Sequence, residues 1–187
     1  RYEARPDSCG HGFMRGGFGL IRELVIQTDI VMTIHGDREI HTPFGISGGL
    51  NGGGSTLIVN KGTKDEFDAG MYATGVKLKK GDKIFYGSSG GGGFGDPLKR
   101  DPELVLTDVI DEWLTIGAAK KYYGVVIEEI DAEAADFRIN KPKTKKARAA
   151  LRKKGFKEGT GAFEVNVLGK DIKPSRIPSE EEVRSHL

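Results

Sequence analysis

In the first half of the chain, apolar positions come in short, dense runs. Phe18 to Gln27 and Ile30 to His35 are rich in Leu, Ile and Val, a composition that suits half-buried strands. Thr28-Asp29 lies between them and predicts a hairpin turn. Thr56 to Asn60, Gly75 to Lys79 and Lys83 to Tyr86 are further strand candidates. Leu78 to Lys83 reads as a turn between the last two, with Gly81 supplying a backbone angle that other residues avoid. Many short strands divided by glycine turns predict a sandwich or barrel-like sheet rather than alternating strand–helix units.

The pattern changes after Asp96. Asp101-Pro102-Glu103 has the order of a helix start, with an N-cap carboxylate, a proline in the first turn and an acid near the positive helix end. Leu104, Val105, Asp108, Val109 and Trp113 follow at mostly helical spacing. Thr115 caps a second short helix over Ile116 to Tyr122, Gly124 stops it, and Val125 to Glu128 returns as a strand. Lys143 to Lys154 predicts a third, basic helix ended by Gly155. The last stretch has weak periodicity and reads as a surface tail. The expected architecture is α+β: a glycine-rich β region over 1–97, a helical hairpin and return strand over 98–130, and a basic helix with an extended tail over 131–187.

Composition sharpens this division. Of the 28 glycines, 22 lie in residues 1–95. The net charge of +2 hides segregation: residues 138–157 hold ten Lys or Arg and no acid, and residues 128–136 hold five acids and no base. The basic stretch is poor in aromatic residues, so platforms for stacking single-stranded nucleic acid are missing. A solvated helix, or one docking on an acidic partner, fits it better. No apolar run reaches the ~18 residues that span a bilayer, and the single cysteine suits a reducing, cytoplasmic setting. Because the chain begins at Arg1, a processed, split or truncated polypeptide is expected.

Gly90 to Gly93, in the stretch GSSGGGGFGDP, invite comparison with a phosphate cradle. Gly90-x-Gly92-x-x-Gly95 satisfies the dinucleotide fingerprint in form, but that motif needs a helix opening directly from the turn. Pro97 and Pro102 delay any helix, and no Gly-Lys-Ser/Thr follows. A tight backbone crossing explains the run better than an anion does.

Three other clusters could carry chemistry. His35, Asp37, Glu39 and His41 alternate, so an unbroken strand would put all four on one face, where His35, Asp37 and His41 could ligate a metal. Gly36 and Thr42-Pro43 argue for a hydrogen-bonded polar corner instead, with Asp37-Arg38 as a loop pin or an anion clamp. Cys9 and His11 stand two residues apart without the third group that orients a catalytic base, which favours a packed cysteine. For Arg15 a salt bridge is the default reading.

These pieces together resemble the C-terminal portion of the hydantoinase B family, which includes the B-type parts of N-methylhydantoinase, 5-oxoprolinase and the ketone carboxylases. Asp7-Ser8-Cys9-Gly10-His11-Gly12-Phe13-Met14-Arg15-Gly16-Gly17 is similar to the family's D-S-G-G-x-G-x-x-R-G-G. Asp37-Arg38 with Pro43-Phe44-Gly45 and Gly48-Gly49 resembles its D-R…P-W-G…G-G segment. Gly90 to Pro97 resembles G-G-G-G-Y-G-D-P, and Arg100 to Val105 with Tyr123-Gly124-Val125-Val126 completes the set. Cys9, His11 and Phe44 depart from the pattern, and the resemblance fades after about residue 130.

The resemblance implies an ATP-dependent multi-subunit enzyme. An actin-like hydantoinase-A-type partner would bind ATP and phosphorylate a carbonyl or amide oxygen. The B-type subunit would then steer ketone carboxylation through a phosphorylated enol, or ring-opening hydrolysis of a cyclic amide. A divalent metal would sit in the N-terminal portion of the B-type subunit, itself a partner of this chain, so no metal is expected here and the isolated chain should be inactive. Asp37, Arg38, Gly91, Gly92 and Gly93 are the candidates to line a substrate cavity. Ketone carboxylation is the leading expectation, because the basic segment and tail suggest extra subunit docking. The rival readings are a cyclic amidase, a non-enzymatic β-rich binding module, and a metal enzyme built on His35, Asp37 and His41.

Overall fold

The structure, a computed structural model, describes residues 1–131, 134, 136–155, 166–167 and 170–171. Five antiparallel strands form the larger sheet: β1 (Tyr2–Arg5), β2 (Gly19–Val25), β7 (Lys83–Gly87), β4 (Thr56–Val59) and β5 (Phe67–Asp68), in that spatial order. A second sheet pairs β3 (Ile30–His35) with β6 (Tyr72–Leu78). Alternation sets the buried face: Leu57 and Val59 of β4 point inward while Thr56 and Ile58 are less buried. Leu57, Val59, Met71, Leu78 and Ile84 form the core, and Met32, Ile34, Val76 and Tyr86 close it. The core draws on both sheets, so they form a small sandwich with no closed barrel.

The expected β2–β3 hairpin does not form. β2 pairs with β1 and β7, whereas β3 crosses to the second sheet. Local turn chemistry at Thr28-Asp29 yields to burial, because splitting the strands between two layers encloses Met32 and Ile34. β6 begins at Tyr72, earlier than expected. Gly75 lies inside it at φ 74°, beside a register slip between Met32 and Ile34. The glycine expected to start the strand therefore marks a bulge within it. Gly81 does turn the chain, at φ 98°, with its N–H donating to Ile26 O.

After a 3₁₀ turn at Pro97–Lys99 come α1 (Pro102–Ile110) and α2 (Ile116–Tyr123). The caps follow the sequence signals. Asp101 accepts from the Glu103 N–H, Thr115 accepts from the Ala118 N–H, and Gly124 ends α2 in the left-handed region at φ 63°. β8 (Ile127–Asp131) pairs with β9 (Asp136–Ile139), and α3 (Lys141–Lys154) follows, stopped by Gly155. Val105, Val109, Leu114, Ala119, Tyr123, Val125 and Ile127 make the second core, with Phe137 and Ile139 against it. The β8–β9 hairpin therefore runs across the expected division at 130/131. β10 (Asn166–Val167) and β11 (Lys170–Asp171) form a short antiparallel pair. The rest of the expected tail lies outside the described residues.

Candidate functional site

Three glycine-rich segments, residues 8–17, 43–53 and 88–95, run together beside the sandwich without forming a sheet. The last of them is the centre. Five of its amides donate in different directions: Gly90 to Gly53 O, Gly91 to Gly17 O, Gly93 to Leu50 O, Phe94 to Met14 O and Gly95 to Ile46 O. The backbones approach so closely that side chains are excluded. A Cβ on Gly92 would collide with Phe44 O, one on Gly90 with Ser8 O, and one on Gly16 with Gly91 O. All of the amides from Gly90 to Gly95 except that of Gly92 are thus bonded to carbonyls, which leaves no row of free amides to cradle a phosphate. The tetraglycine is an interlock of main chains.

Next to the interlock, a cleft of about 920 Å³ opens between residues 50–53 and helices α2 and α3. Its floor holds Cys9 and His11, 1% and 4% exposed. His11 Nδ1 lies 3.2 Å from the Tyr123 hydroxyl and 3.8 Å from Cys9 Sγ. Its ring stacks on Tyr122 at 4.0 Å and meets Tyr123 edge-on. Burial lowers the His11 pKa to about 4 and raises the Cys9 thiol to about 12, because both charged forms lose water. Burial likewise pushes the Tyr123 phenol upward. The trio is therefore neutral at pH 7, and Cys9 is a packed thiol rather than a nucleophile. Lys120, Lys121 and Lys154 join the lining, with Asp7, Asn51, Leu50 and Leu151.

A buried ion cluster ties the glycine segments to α1. Asp108, 4% exposed, takes Arg15 Nε on one oxygen at 2.8 Å and Arg100 Nη2 on the other at 2.9 Å. Arg15 also lies 4.4 Å over the Phe18 ring, which stacks on Trp113. The default reading of Arg15 as a salt-bridge partner holds. Arg100 Nη1 reaches Phe13 O at 3.2 Å, while its Nε has no partner among the described residues. Arg148 of α3 donates to Tyr123 O and to Arg100 O, so the basic helix is fastened to its own chain.

The other expected site residues lie elsewhere. β3 ends at His35, so His35, Asp37, Glu39 and His41 do not share a strand face. Gly36 N–H binds Met71 O, and Arg38 turns the chain at φ 67°. His35 stacks on Tyr72, Asp37 accepts the Arg38 N–H, and Glu39 accepts the Met71 N–H. This is the polar corner. Among the described residues no group of three His, Cys, Asp or Glu side chains can hold a metal. Asp37 and Arg38 are exposed, and neither they nor Gly91, Gly92 and Gly93 line the cleft. Sequence reasoning missed Lys120, Tyr122 and Asn51. Lys120-Lys121-Tyr122-Tyr123, two cations followed by two aromatics at a helix end, was the available signal.

The sequence profile of the hydantoinase B/oxoprolinase family matches residues 1–97, and the chain belongs to that family. It is 35% identical over 137 residues to the B-type subunit assigned to a D-/L-hydantoinase of a Pseudomonas species, covering 71% of this chain and 23% of that protein. The ATP-dependent caprolactamase of Pseudomonas jessenii superposes with a TM-score of 0.66 at 27% identity, over 80% of this chain and 25% of that one. An acetone carboxylase solved free of nucleotide has the same fold, with a TM-score of 0.67 at 23% identity, over 82% of this chain and 24% of that one. The chain thus spans about a quarter of the length of each. No helix among the described residues is long and apolar enough to cross a membrane.

Proposed function

We propose that this chain is the C-terminal part of a B-type subunit in an ATP-dependent multi-subunit enzyme that opens a cyclic amide or carboxylates a ketone. Family membership over the glycine-rich half carries this reading. ATP and the actin-like subunit that binds it, together with a divalent metal in the N-terminal portion of the B-type subunit, belong to the assembly. This chain's contribution is a rigid glycine interlock and the wall of a cleft, and by itself it is inactive.

Between the two reactions we favour ring-opening hydrolysis. The case for carboxylation rests on the basic segment as a subunit dock, yet α3 spends Arg148 and Thr144 on its own chain. The 35% identity to the subunit assigned to a hydantoinase supports the amide reading. Chemically, phosphorylating an amide oxygen makes the carbonyl carbon open to attack, and a closed site then admits one water in the right place. The test is ATP turnover of the native assembly with cyclic amides or with a ketone plus bicarbonate. Stimulation by amides is expected. Stimulation by the ketone alone reverses the preference, and indifference to both defeats the proposal.

A further inference from the structure

The cleft beside His11 is lined by several basic side chains, and its one acidic side chain is already engaged. Lys120, Lys121 and Lys154 belong to the lining, with the Lys121 ammonium 4.6 Å from the centre of the Tyr122 ring. The one lining carboxylate, Asp7, is taken through both oxygens by the N–H and hydroxyl of Thr115, each at 2.8 Å. Asn51 Oδ1 accepts the Gly45 N–H at 3.0 Å, and its NH₂ end has no other partner among the described residues. The imidazole adds a further donor. The Tyr123 hydroxyl stands 3.2 Å from His11 Nδ1, and the site proposed below takes it as the donor of that bond. A neutral ring that accepts at Nδ1 carries its proton on Nε2. His11 lines the cleft, and the ring contacts with Cys9 and Tyr123 both use Nδ1, not Nε2.

We propose that this cleft binds the carboxylate or phosphate group of a small organic anion, with its carbon body against Leu50, Leu151 and Tyr122. Its volume of about 920 Å³ lies within the usual range for small-molecule sites. The lysines attract the anion and hold it through charge-assisted bonds. The His11 N–H and the Asn51 amide orient it without a buried charge of their own. Binding here requires neither ATP nor the family's reaction, so the site stands or falls separately from the proposed function.

The full chain, labelled with ¹⁵N in its histidine rings, would be titrated with inorganic phosphate and separately with benzoate, at constant ionic strength. A saturable shift of the His11 Nε2 signal is expected with at least one of them, and the tighter of the two names the head group. Lys120→Gln should weaken it roughly tenfold, the effect of losing one charge-assisted contact. Lys120→Arg should restore it. Lys145→Gln, on a part of α3 outside the cleft, should leave it unchanged. The proposal is overturned if His11 ignores both anions, or if Lys120→Gln and Lys145→Gln weaken the response equally, which would be diffuse attraction to a basic surface. Failure of ATP turnover with an intact His11 response would remove the functional reading and leave the site.

Discussion

At the scale of single residues, the interlock separates glycines that look alike in the sequence. Gly92→Ala drives a methyl into Phe44 O, whereas a Cβ on Gly17 meets nothing within 4 Å. Gly92→Ala should therefore cost about 3 kcal/mol or more, and Gly17→Ala should stay within about 0.5 kcal/mol of the parent. Chemical denaturation of the two variants checks this, and equal losses would refute the interlock. His11 makes a prediction about pH. Its ordinary value is 6.5 and the folded value is about 4. Between these the unfolded chain takes up a proton that the folded chain refuses, so stability is full above pH 6.5 and falls as pH drops toward 4. The loss over that window is about 3 kcal/mol. It should be absent in His11→Gln, and an identical pH slope in that variant would show that other groups cause it.

At the scale of elements, the junction between the glycine segments and the helices rests on two carboxylates. Asp108 neutralises Arg100 in a site where both are buried. Asp108→Asn should destabilise by about 3–5 kcal/mol, because the guanidinium is left without a counter-charge; a loss below about 1 kcal/mol would mean that water replaces the carboxylate. Asp7, at φ 58°, holds the N-cap of α2 through Thr115. Asp7→Ala should cost about 1–2 kcal/mol, and Thr115→Ala made on top of it should add little, since the two act as one cap. Helix ends were legible in the sequence because caps are local: Asp101, Thr115, Gly124 and Gly155 all sit where their chemistry predicts. Strand pairing was not, because β3 chooses β6 across about forty residues and Thr28-Asp29 carries no record of that choice. The cleft escaped for the same reason. His11, Asn51 and Lys120 come from three distant stretches, and only the fold brings them to one wall.

At the scale of the whole molecule, the second sheet and its corner carry exposed apolar side chains. Val31 is 68% exposed, Tyr72 79% and Ile40 83%, and all three belong to β3, β6 or the corner between them. Tyr2, Leu24, Val25 and Ile130 are also more than half exposed, a distribution in keeping with a chain that spans about a quarter of its relatives. The interlock has a further consequence, in time rather than in space. The Leu50 N–H donates to His11 O and the Gly93 N–H to Leu50 O, each across about forty residues, while the Gly10 N–H donates to Gly91 O across about eighty, so the three segments complete one another's bonds. Contacts so distant in sequence make folding slow. During synthesis the glycine segments cannot consolidate until Gly95 has left the ribosome. The β1–β2 and β3–β6 pairs can form before then, but residues 8–17 and 43–53 must wait for their third partner.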